Sequence, residues 1–184
     1  MKSADWSAEL GWIEAAGHKL TPGLSNTELS EAERVHGFVF PPDLRSFLST
    51  AMPTGDSFPN WRQLEEQPLI EWMDWPATGM AFDIEHNRYW HAEWGKRPDD
   101  LSDAVEVMRA KLKMVPILIP VYAHRYLPCE PAEVGNPIFS VYQTDIIYYG
   151  SNLSSFFACE MGGISHAEIM NGEFKRIRFW SEFC

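Results

Sequence analysis

The sequence has no long apolar run and few cysteines. None of its apolar stretches reaches the roughly 18 residues expected of a membrane-spanning helix. Its start, MKSADWSAELGWIEAAGHK, carries three acids among its apolar residues, whereas a secretory signal needs a basic start and an unbroken apolar segment. Cys129, Cys159 and Cys184 are widely separated and offer neither a disulfide framework nor a CxxC pair. We therefore expect a cytoplasmic protein, not bound to a membrane, with reduced structural thiols.

Short motifs of the common enzyme classes are also missing. The sequence contains neither a Walker-type phosphate loop nor a dinucleotide-binding glycine fingerprint after a strand. The zinc-protease motif HExxH and the nucleophile-elbow motif GxSxG are absent as well. We therefore expect no catalytic residues, no enzymatic activity and no cofactor.

Basic residues are scarce relative to acidic ones. The chain has 15 Lys and Arg residues against 26 Asp and Glu residues, which gives a net charge of −11. This charge repels the phosphates of DNA and RNA, so direct nucleic-acid binding is not expected. It attracts a basic protein partner and speeds the encounter with it. A negative net charge also keeps a protein soluble, which is the simpler interpretation of charge taken alone.

Apolar and aromatic residues are plentiful enough for one domain of ordinary size. Hydrophobic residues make up 45% of the 184 residues and aromatic residues 14%, which argues against disorder. No repeat, low-complexity segment or linker divides the chain, so residues 1–184 are predicted to form a single domain. Helical patterns come first and strand patterns later, an order compatible with an α+β fold.

Helix and strand signals can be placed along the chain. The predicted helices are residues 3–16 with Ser3 as cap, 26–36 ending at Gly37, 42–51, 99–113 and 153–161. The predicted strands are residues 80–85, 115–122, 138–142 and 146–149. Residues 88–94 form either a strand paired with 80–85 or an irregular aromatic loop. Pro120 requires a bulge or an edge position. Residues 174–183 form either a last strand or a docked tail.

Acids and histidines cluster in the segment 82–97. Asp83 and Glu85 share one face of the first predicted strand, and His91 and Glu93 share one face of the second. If the faces converge, two carboxylates and two imidazoles suit a divalent metal. A slip of one residue separates the pairs, and a polar sheet face with a turn at His86 is the simpler interpretation. We therefore predict no metal site and interpret this segment as a recognition surface.

A second candidate follows the apolar strand 115–122. His124 and Arg125 stand beside aromatic residues, a setting that suits recognition of a carboxylate or phosphate. The alternative, which the pairing of polar groups near cores favours, is an Arg125 held in an ion pair with one of the many acids.

Three tryptophans lie in polar stretches punctuated by proline and glycine. Most aromatic residues must be buried, because aromatic burial dominates the energetics of a core. Trp72, Trp75 and Trp90, however, have surroundings in which a ring can stay exposed. Exposed tryptophans are typical anchors of protein interfaces, so we expect at least one of the three at a partner surface.

Two segments carry a family resemblance. LSEAERVHGFVFPPDLRSFLSTA combines a helix, a glycine exit, a short apolar run and a proline-opened helix. It resembles the N-terminal signature of the SUKH superfamily, also called Smi/Knr-type domains. GNPIFSVYQTDIIYYGSNLSSFF is similar to the strand-turn-strand-helix region of that family. FDIEHNRYWHAEWGKRP and PVYAHRYLP resemble blocks of a longer bacterial branch, and the resemblance covers roughly residues 26–157.

The resemblance implies an α+β fold whose central sheet is mostly antiparallel, or mixed, with helices packed against it. It also implies a partner-binding protein of the bacterial toxin-immunity type, which neutralises a basic toxin such as a nuclease by direct binding, with a concave sheet face as the seat. The alternatives are a regulatory or scaffolding protein unrelated to toxins and a small metal-assisted hydrolase. The candidate partner-binding residues are Asp83, Glu85, His86, Trp90, His91, Glu93, His124 and Arg125, together with the acids of residues 65–74.

Overall fold

The structure, a computed structural model, describes residues 5–184. This part of the chain folds into seven α-helices and two antiparallel sheets of two and four strands. The α+β class expected from the sequence is therefore confirmed, as is the antiparallel sheet with helices packed against it. The predicted cap Ser3 lies outside the described residues.

The elements have the following bounds. The helices are α1 (Ser7–Ala15), α2 (Asn26–His36), α3 (Pro42–Thr50), α4 (Gln67–His86), α5 (Leu101–Leu112), α6 (Leu153–Glu160) and α7 (His166–Met170). The strands are β1 (Lys19–Pro22), β2 (Ala51–Thr54), β3 (Leu118–Tyr122), β4 (Arg125–Pro128), β5 (Ile138–Tyr142) and β6 (Asp145–Gly150). Two short 3₁₀ helices span Ala92–Trp94 and Trp180–Glu182.

Capping residues fix the boundaries of several helices. At the start of α2, the Glu28 N–H donates to the Ser25 hydroxyl (3.3 Å), and the Glu28 carboxylate accepts from the Ser25 N–H (2.8 Å). The helix ends at Gly37, whose φ of 72° suits a left-handed exit. Pro42 opens α3, and the Asp100 side chain caps α5. The predictions for these three helices are confirmed to within two residues.

Strands β3 to β6 form a meander in which each strand pairs with the next. Pro120 lies on the edge strand β3, beside a shift of register between Pro120 and Tyr122, so the predicted bulge and edge position both occur. Strands β5 and β6 are joined by the two-residue turn Gln143-Thr144, where Gln143 has a φ of 57°. The predicted hairpin is therefore confirmed.

Helix α4 is the largest departure from the sequence prediction. Residues 80–85 are predicted as a strand from the alternation of Met80, Phe82 and Ile84, yet they lie at the end of a 20-residue helix. Met80 and Ile84, four residues apart, are buried, whereas 44% of Phe82 is exposed. The buried positions therefore follow a helical period, and the strand prediction is wrong.

Two open alternatives are decided by the structure. Residues 88–94 form an irregular aromatic loop ending in a 3₁₀ turn, so pairing of this segment as a strand is wrong. Residues 174–183 form a docked tail instead of a last strand. In that tail the Trp180 indole is buried, and its N–H donates to the Pro116 carbonyl at 2.6 Å.

A proline inside α4 is compensated by the sheet. Pro76 has no N–H, so the Trp72 carbonyl one turn earlier loses its helical hydrogen-bond donor. The hydroxyl of the buried Tyr126 on β4 donates to this carbonyl at 3.0 Å. The contact satisfies the freed carbonyl and ties α4 to the sheet.

The four-stranded sheet separates two apolar cores. One contains Ile119, Val121, Leu127 and Ile138 together with residues of α1, α2, α3 and α6. The other contains Leu118, Tyr126, Phe139, Val141 and Ile146 together with residues of α4, α5 and the tail. Because each strand sends alternate side chains into each core, both faces of the sheet are largely covered. No helix in the described part of the chain is long and apolar enough to cross a membrane.

Candidate binding surface

Trp75 on α4 is the exposed tryptophan of this protein. All eight tryptophans lie within residues 5–184, and Trp75 is the most exposed of them, with 39% of its surface accessible. Its indole N–H donates to the Val141 carbonyl of β5 at 3.0 Å, which fixes the orientation of the ring. Among Trp72, Trp75 and Trp90, the exposed ring is therefore that of Trp75, and its contact with a partner stays a prediction.

Two further aromatic residues extend this surface. Phe82, two turns after Trp75 on α4, is 44% exposed, and Tyr142 at the end of β5 is 57% exposed. The rings of Trp75 and Tyr142 have centroids 6.3 Å apart. Together with Thr78, Gly79 and Gln143 these residues line a shallow groove of about 160 Å³. We call Trp75, Phe82 and Tyr142 the α4 patch.

Asp83 ties α4, which carries Trp75 and Phe82, to the hairpin that carries Tyr142. Its carboxylate accepts hydrogen bonds from the Thr144 N–H (2.8 Å), the Thr144 hydroxyl (2.6 Å) and the Asn87 side-chain amide (2.6 Å). Burial opposes ionisation of Asp83, but these hydrogen bonds outweigh it, and the pKa of the carboxyl is lowered. Only 4% of Asp83 is exposed. The sequence predicted a partner contact at Asp83, whereas the structure uses its carboxylate to anchor the β5–β6 turn on α4.

Gly79 allows the hairpin to approach α4 closely. A Cβ atom at this position would lie 2.8 Å from the Gln143 Cα and 3.0 Å from the Gln143 nitrogen. Both are backbone atoms, which cannot rotate away as a flexible side chain can. The glycine therefore permits the contact that brings Tyr142 beside Trp75.

Negative charge is concentrated in and around α4. Residues 53–85 contain seven acidic residues and one arginine, a net charge of −6 out of the −11 of the whole chain. That arginine, Arg62, pairs with Glu28 at 2.7 Å. Asp74 pairs with Arg109 at 2.7 Å, and this guanidinium holds the pKa of Asp74 below its usual range. Glu71 and Glu85 on the same helix are exposed. The α4 patch therefore has an acidic border.

The predicted cluster of acids and histidines comes together only in part. His91, Glu93 and Glu182 have ligand atoms within 4.8 Å of one another. Asp83 is buried under the hairpin, and Glu85 is exposed near His86, with 3.9 Å between the Glu85 carboxylate and His86 Nε2. The convergence of Asp83 and Glu85 with His91 and Glu93, which the sequence left open, does not occur, because their segment is a helix followed by a loop.

The hydrogen bonds of His91 leave little room for a metal. Its Nδ1 accepts from the Glu93 N–H at 3.3 Å, and its Nε2 lies 3.1 Å from the Glu182 carboxylate. An Nδ1 that accepts places the proton of a neutral ring on Nε2, which then donates to Glu182. Both ring nitrogens are thus occupied, and the contact joins the 3₁₀ turn to the tail. Glu182 was not foreseen, since it lies 91 residues further along the chain.

Trp90 and Arg125 are engaged within the fold. The Trp90 indole N–H donates to the Gly95 carbonyl at 2.8 Å, and its ring contacts Trp94. The Arg125 guanidinium lies 3.7 Å from both the Glu160 carboxylate and the centre of the Tyr149 ring. The ion-paired alternative for Arg125 is therefore the one observed.

His124 lies next to this ion pair. Burial and the neighbouring Arg125 lower the pKa of His124. Of the predicted contact residues, those with exposed side chains are Glu85, His86 and Glu93, together with the acids Glu65, Glu66 and Glu71 of the segment 65–74.

Two residues of the α4 patch escaped sequence reasoning. The sequence places Phe82 in the predicted strand 80–85 and Tyr142 in the predicted strand 138–142 and selects neither as a contact residue. The spacing of seven residues between Trp75 and Phe82 is a helical signal that places both on one face of α4.

Comparison of the chain with protein-family models, curated proteins and solved structures finds no significant match.

Proposed function

We propose that this chain is a partner-binding protein of the toxin-immunity type, which holds a basic toxin against the α4 patch. The observation that carries the proposal is Trp75, which is exposed and yet fixed by its hydrogen bond to Val141. The resemblance of residues 26–157 to the SUKH superfamily supports the toxin as the partner.

The α4 patch has the properties of an interface anchor. Tryptophan and tyrosine are enriched among the residues that contribute most to protein binding, and they cluster in well-packed groups. Since the Trp75 ring is held before a partner arrives, little side-chain entropy is lost when it is covered. Phe82 and Tyr142 enlarge the apolar area around it.

The charge around α4 supports a basic partner. A net charge of −6 within residues 53–85 attracts a positively charged protein and orients it towards this side of the molecule. Such steering raises the association rate, and salt weakens it. Toxins that act on nucleic acid need a basic surface, which fits this requirement.

The sheet is less suited to bind a partner. Both of its faces carry apolar cores, which disfavours the expected concave seat. Pro120 interrupts the edge strand β3. On the edge strand β6, the Ile146 carbonyl accepts from the Cys184 thiol (3.5 Å), and the Tyr148 carbonyl lies 3.3 Å from His166 Nε2. Addition of a partner strand is therefore disfavoured at both edges.

The test measures affinity for any toxin encoded by a neighbouring gene. We expect Trp75→Ala to weaken binding by about 2 kcal/mol, or thirtyfold, as at other interface anchors. Tyr142→Ala should weaken it in the same direction. Met114→Ala is the matched control, because Met114 is 70% exposed and is not part of the α4 patch. Circular dichroism checks that each variant is folded.

The outcomes separate the hypotheses. Unchanged affinity in both Trp75→Ala and Tyr142→Ala would overturn the α4 patch as the interface. Absence of any binding or protection would overturn the toxin-immunity assignment. If the patch instead captures a protein without toxic activity, the regulatory alternative is favoured.

A further inference from the structure

A second concave site lies at the start of α4. It is a cavity of about 310 Å³, at the lower end of the range of roughly 300–1,000 Å³ typical of small-ligand sites. The segment between β2 and α4 and the first turns of α4 form its walls. Its lining includes Phe58, Trp72, Leu69, Asp56 and Glu66. We call it the α4-start cavity.

The carboxylates of this cavity are available to a ligand. Within residues 5–184, neither Asp56 nor Glu66 forms an ion pair. Glu66 accepts one side-chain hydrogen bond, from Gln63 at 2.9 Å. Both residues are exposed and line the cavity. A cation that enters therefore does not have to displace a basic side chain of the protein.

Aromatic rings form the apolar part of the same cavity. Phe58 is buried and held between His18 and Tyr122, with ring centroids 5.0 and 4.9 Å away. Trp72 is partly exposed, and its backbone carbonyl is tied to Tyr126. A tryptophan face attracts an organic cation, and the attraction strengthens when the cation leaves water. Alkyl carbons next to the charge gain from contact with the rings.

Anions are disfavoured at this helix start. The N-terminus of a helix often attracts anions through its free N–H groups. Here the N–H groups of Leu69 and Ile70 donate to the Glu66 carbonyl, and Pro68 has none. The carboxylates of Asp56 and Glu66 also repel an anion. The cavity therefore combines apolar walls with negative charge.

We propose that the α4-start cavity binds a lysine side chain presented by the protein partner. The lysine ammonium is placed between the carboxylates of Asp56 and Glu66, and its alkyl stem lies on Trp72. This inference rests on the proposed function. Pro68, Trp72, Trp75, Gly79 and Phe82 recur every three or four residues and so follow one side of α4. The cavity and the α4 patch thus lie along one strip of the helix surface. From Pro68 to Phe82 the strip is about 20 Å long, because a helix rises about 1.5 Å per residue.

The test uses the whole chain and small probes. The amide of Nα-acetyl-lysine is titrated into ¹⁵N-labelled protein while the Trp72 indole N–H signal is followed. We expect saturable shifts with the lysine probe and none with the uncharged norleucine analogue. The double variant Asp56→Asn/Glu66→Gln should weaken the response at least tenfold. Glu65→Gln is the matched control, since Glu65 is an exposed neighbour that does not line the cavity.

A free diamine carries the same ammonium group on an alkyl chain, so a titration with putrescine forms the second arm of the test. Binding of putrescine ten times tighter than that of the lysine probe would overturn the assignment to a protein side chain. Equal responses to lysine and norleucine, or an unchanged response in the double variant, would overturn the cation site itself.

The proposed function is tested separately, because Trp75→Ala should weaken partner binding about thirtyfold and leave the lysine response unchanged. Weakened partner binding in that variant without any lysine response would contradict this inference alone. A lysine response with partner binding that is insensitive to Trp75 would contradict the α4 patch alone. In the complex, the double variant should weaken partner binding tenfold.

Discussion

Asp83 of α4 accepts two hydrogen bonds from Thr144 in the β5–β6 turn, one from its N–H at 2.8 Å and one from its hydroxyl at 2.6 Å. This contact joins residues 61 positions apart. It fixes the helix that carries Trp75 and Phe82 against the hairpin that carries Tyr142. The geometry of the α4 patch therefore depends on a buried carboxylate that a partner does not reach.

Replacing this carboxylate should destabilise the fold. In Asp83→Asn, the charge-assisted hydrogen bonds are lost and the new amide group faces the donors of Thr144. We expect the free energy of unfolding to fall by about 2 kcal/mol, the typical contribution of hydrogen bonds to a charged group. Urea unfolding measures the change. Glu85→Gln, an exposed neighbour, should change stability by less than about 0.5 kcal/mol. Equal stability of Asp83→Asn and the unchanged protein would contradict the anchoring role.

Asp83 should also make stability depend on pH in the acid range. Its pKa is lowered in the folded state, so the unfolded chain takes up a proton first as the pH falls. The contribution of Asp83 is therefore complete above the unfolded pKa of about 3.9 and is lost as the pH falls through the lower folded pKa. Unfolding midpoints at pH 6 and pH 3 measure this loss. Asp83→Asn should show a smaller drop between these values than the unchanged protein, and an equal drop would assign the acid sensitivity to other groups.

Replacing glycine by alanine at two helical positions should change the stability of the protein in opposite directions. Alanine normally stabilises a helix interior by about 1 kcal/mol relative to glycine. In α1, a Cβ on Gly11 meets nothing within 4 Å, so Gly11→Ala should stabilise the protein. In α4, a Cβ on Gly79 lies 2.8 Å from the Gln143 backbone, so Gly79→Ala should destabilise it despite the helix propensity. Thermal unfolding of both variants decides the sign, and a stabilised Gly79→Ala would contradict the close packing of the hairpin.

Local signals predicted much of the fold, and long-range contacts explain the failures. Glycine, proline and capping side chains determine helix ends from neighbouring residues, and the boundaries of α2, α3 and α5 were predicted accordingly. The end of α4 was misassigned because the large apolar residues Met80, Phe82 and Ile84 occupy every second position. That alternation arises from Phe82, which faces solvent beside the hairpin. In a segment as short as residues 80–85, only tertiary packing distinguishes the helical period from the strand period.

The candidate site was predicted less well than the fold. The exposed Trp75 was among three tryptophans that sequence context selected, because polar and proline-rich surroundings are a local signal. Tyr142 belongs to the site only because Asp83 and Gly79 dock the hairpin on α4. Glu182 reaches His91 from the far end of the chain. Neither the docking of the hairpin on α4 nor the contact between Glu182 and His91 can be predicted from the spacing of residues in the sequence.

His91 provides the last prediction, since its hydrogen bonds oppose the metal-assisted alternative. We expect the neutral ring to carry its proton on Nε2, where it donates to Glu182, while Nδ1 accepts from the Glu93 N–H. Long-range ¹H–¹⁵N spectra of the histidine rings at pH 8 identify this tautomer. Binding of zinc would have to displace one of these two hydrogen bonds, so one equivalent of zinc should leave the His91 signals unchanged in untagged protein. Stoichiometric zinc binding that disappears in His91→Gln but persists in the control His86→Gln would restore the metal site.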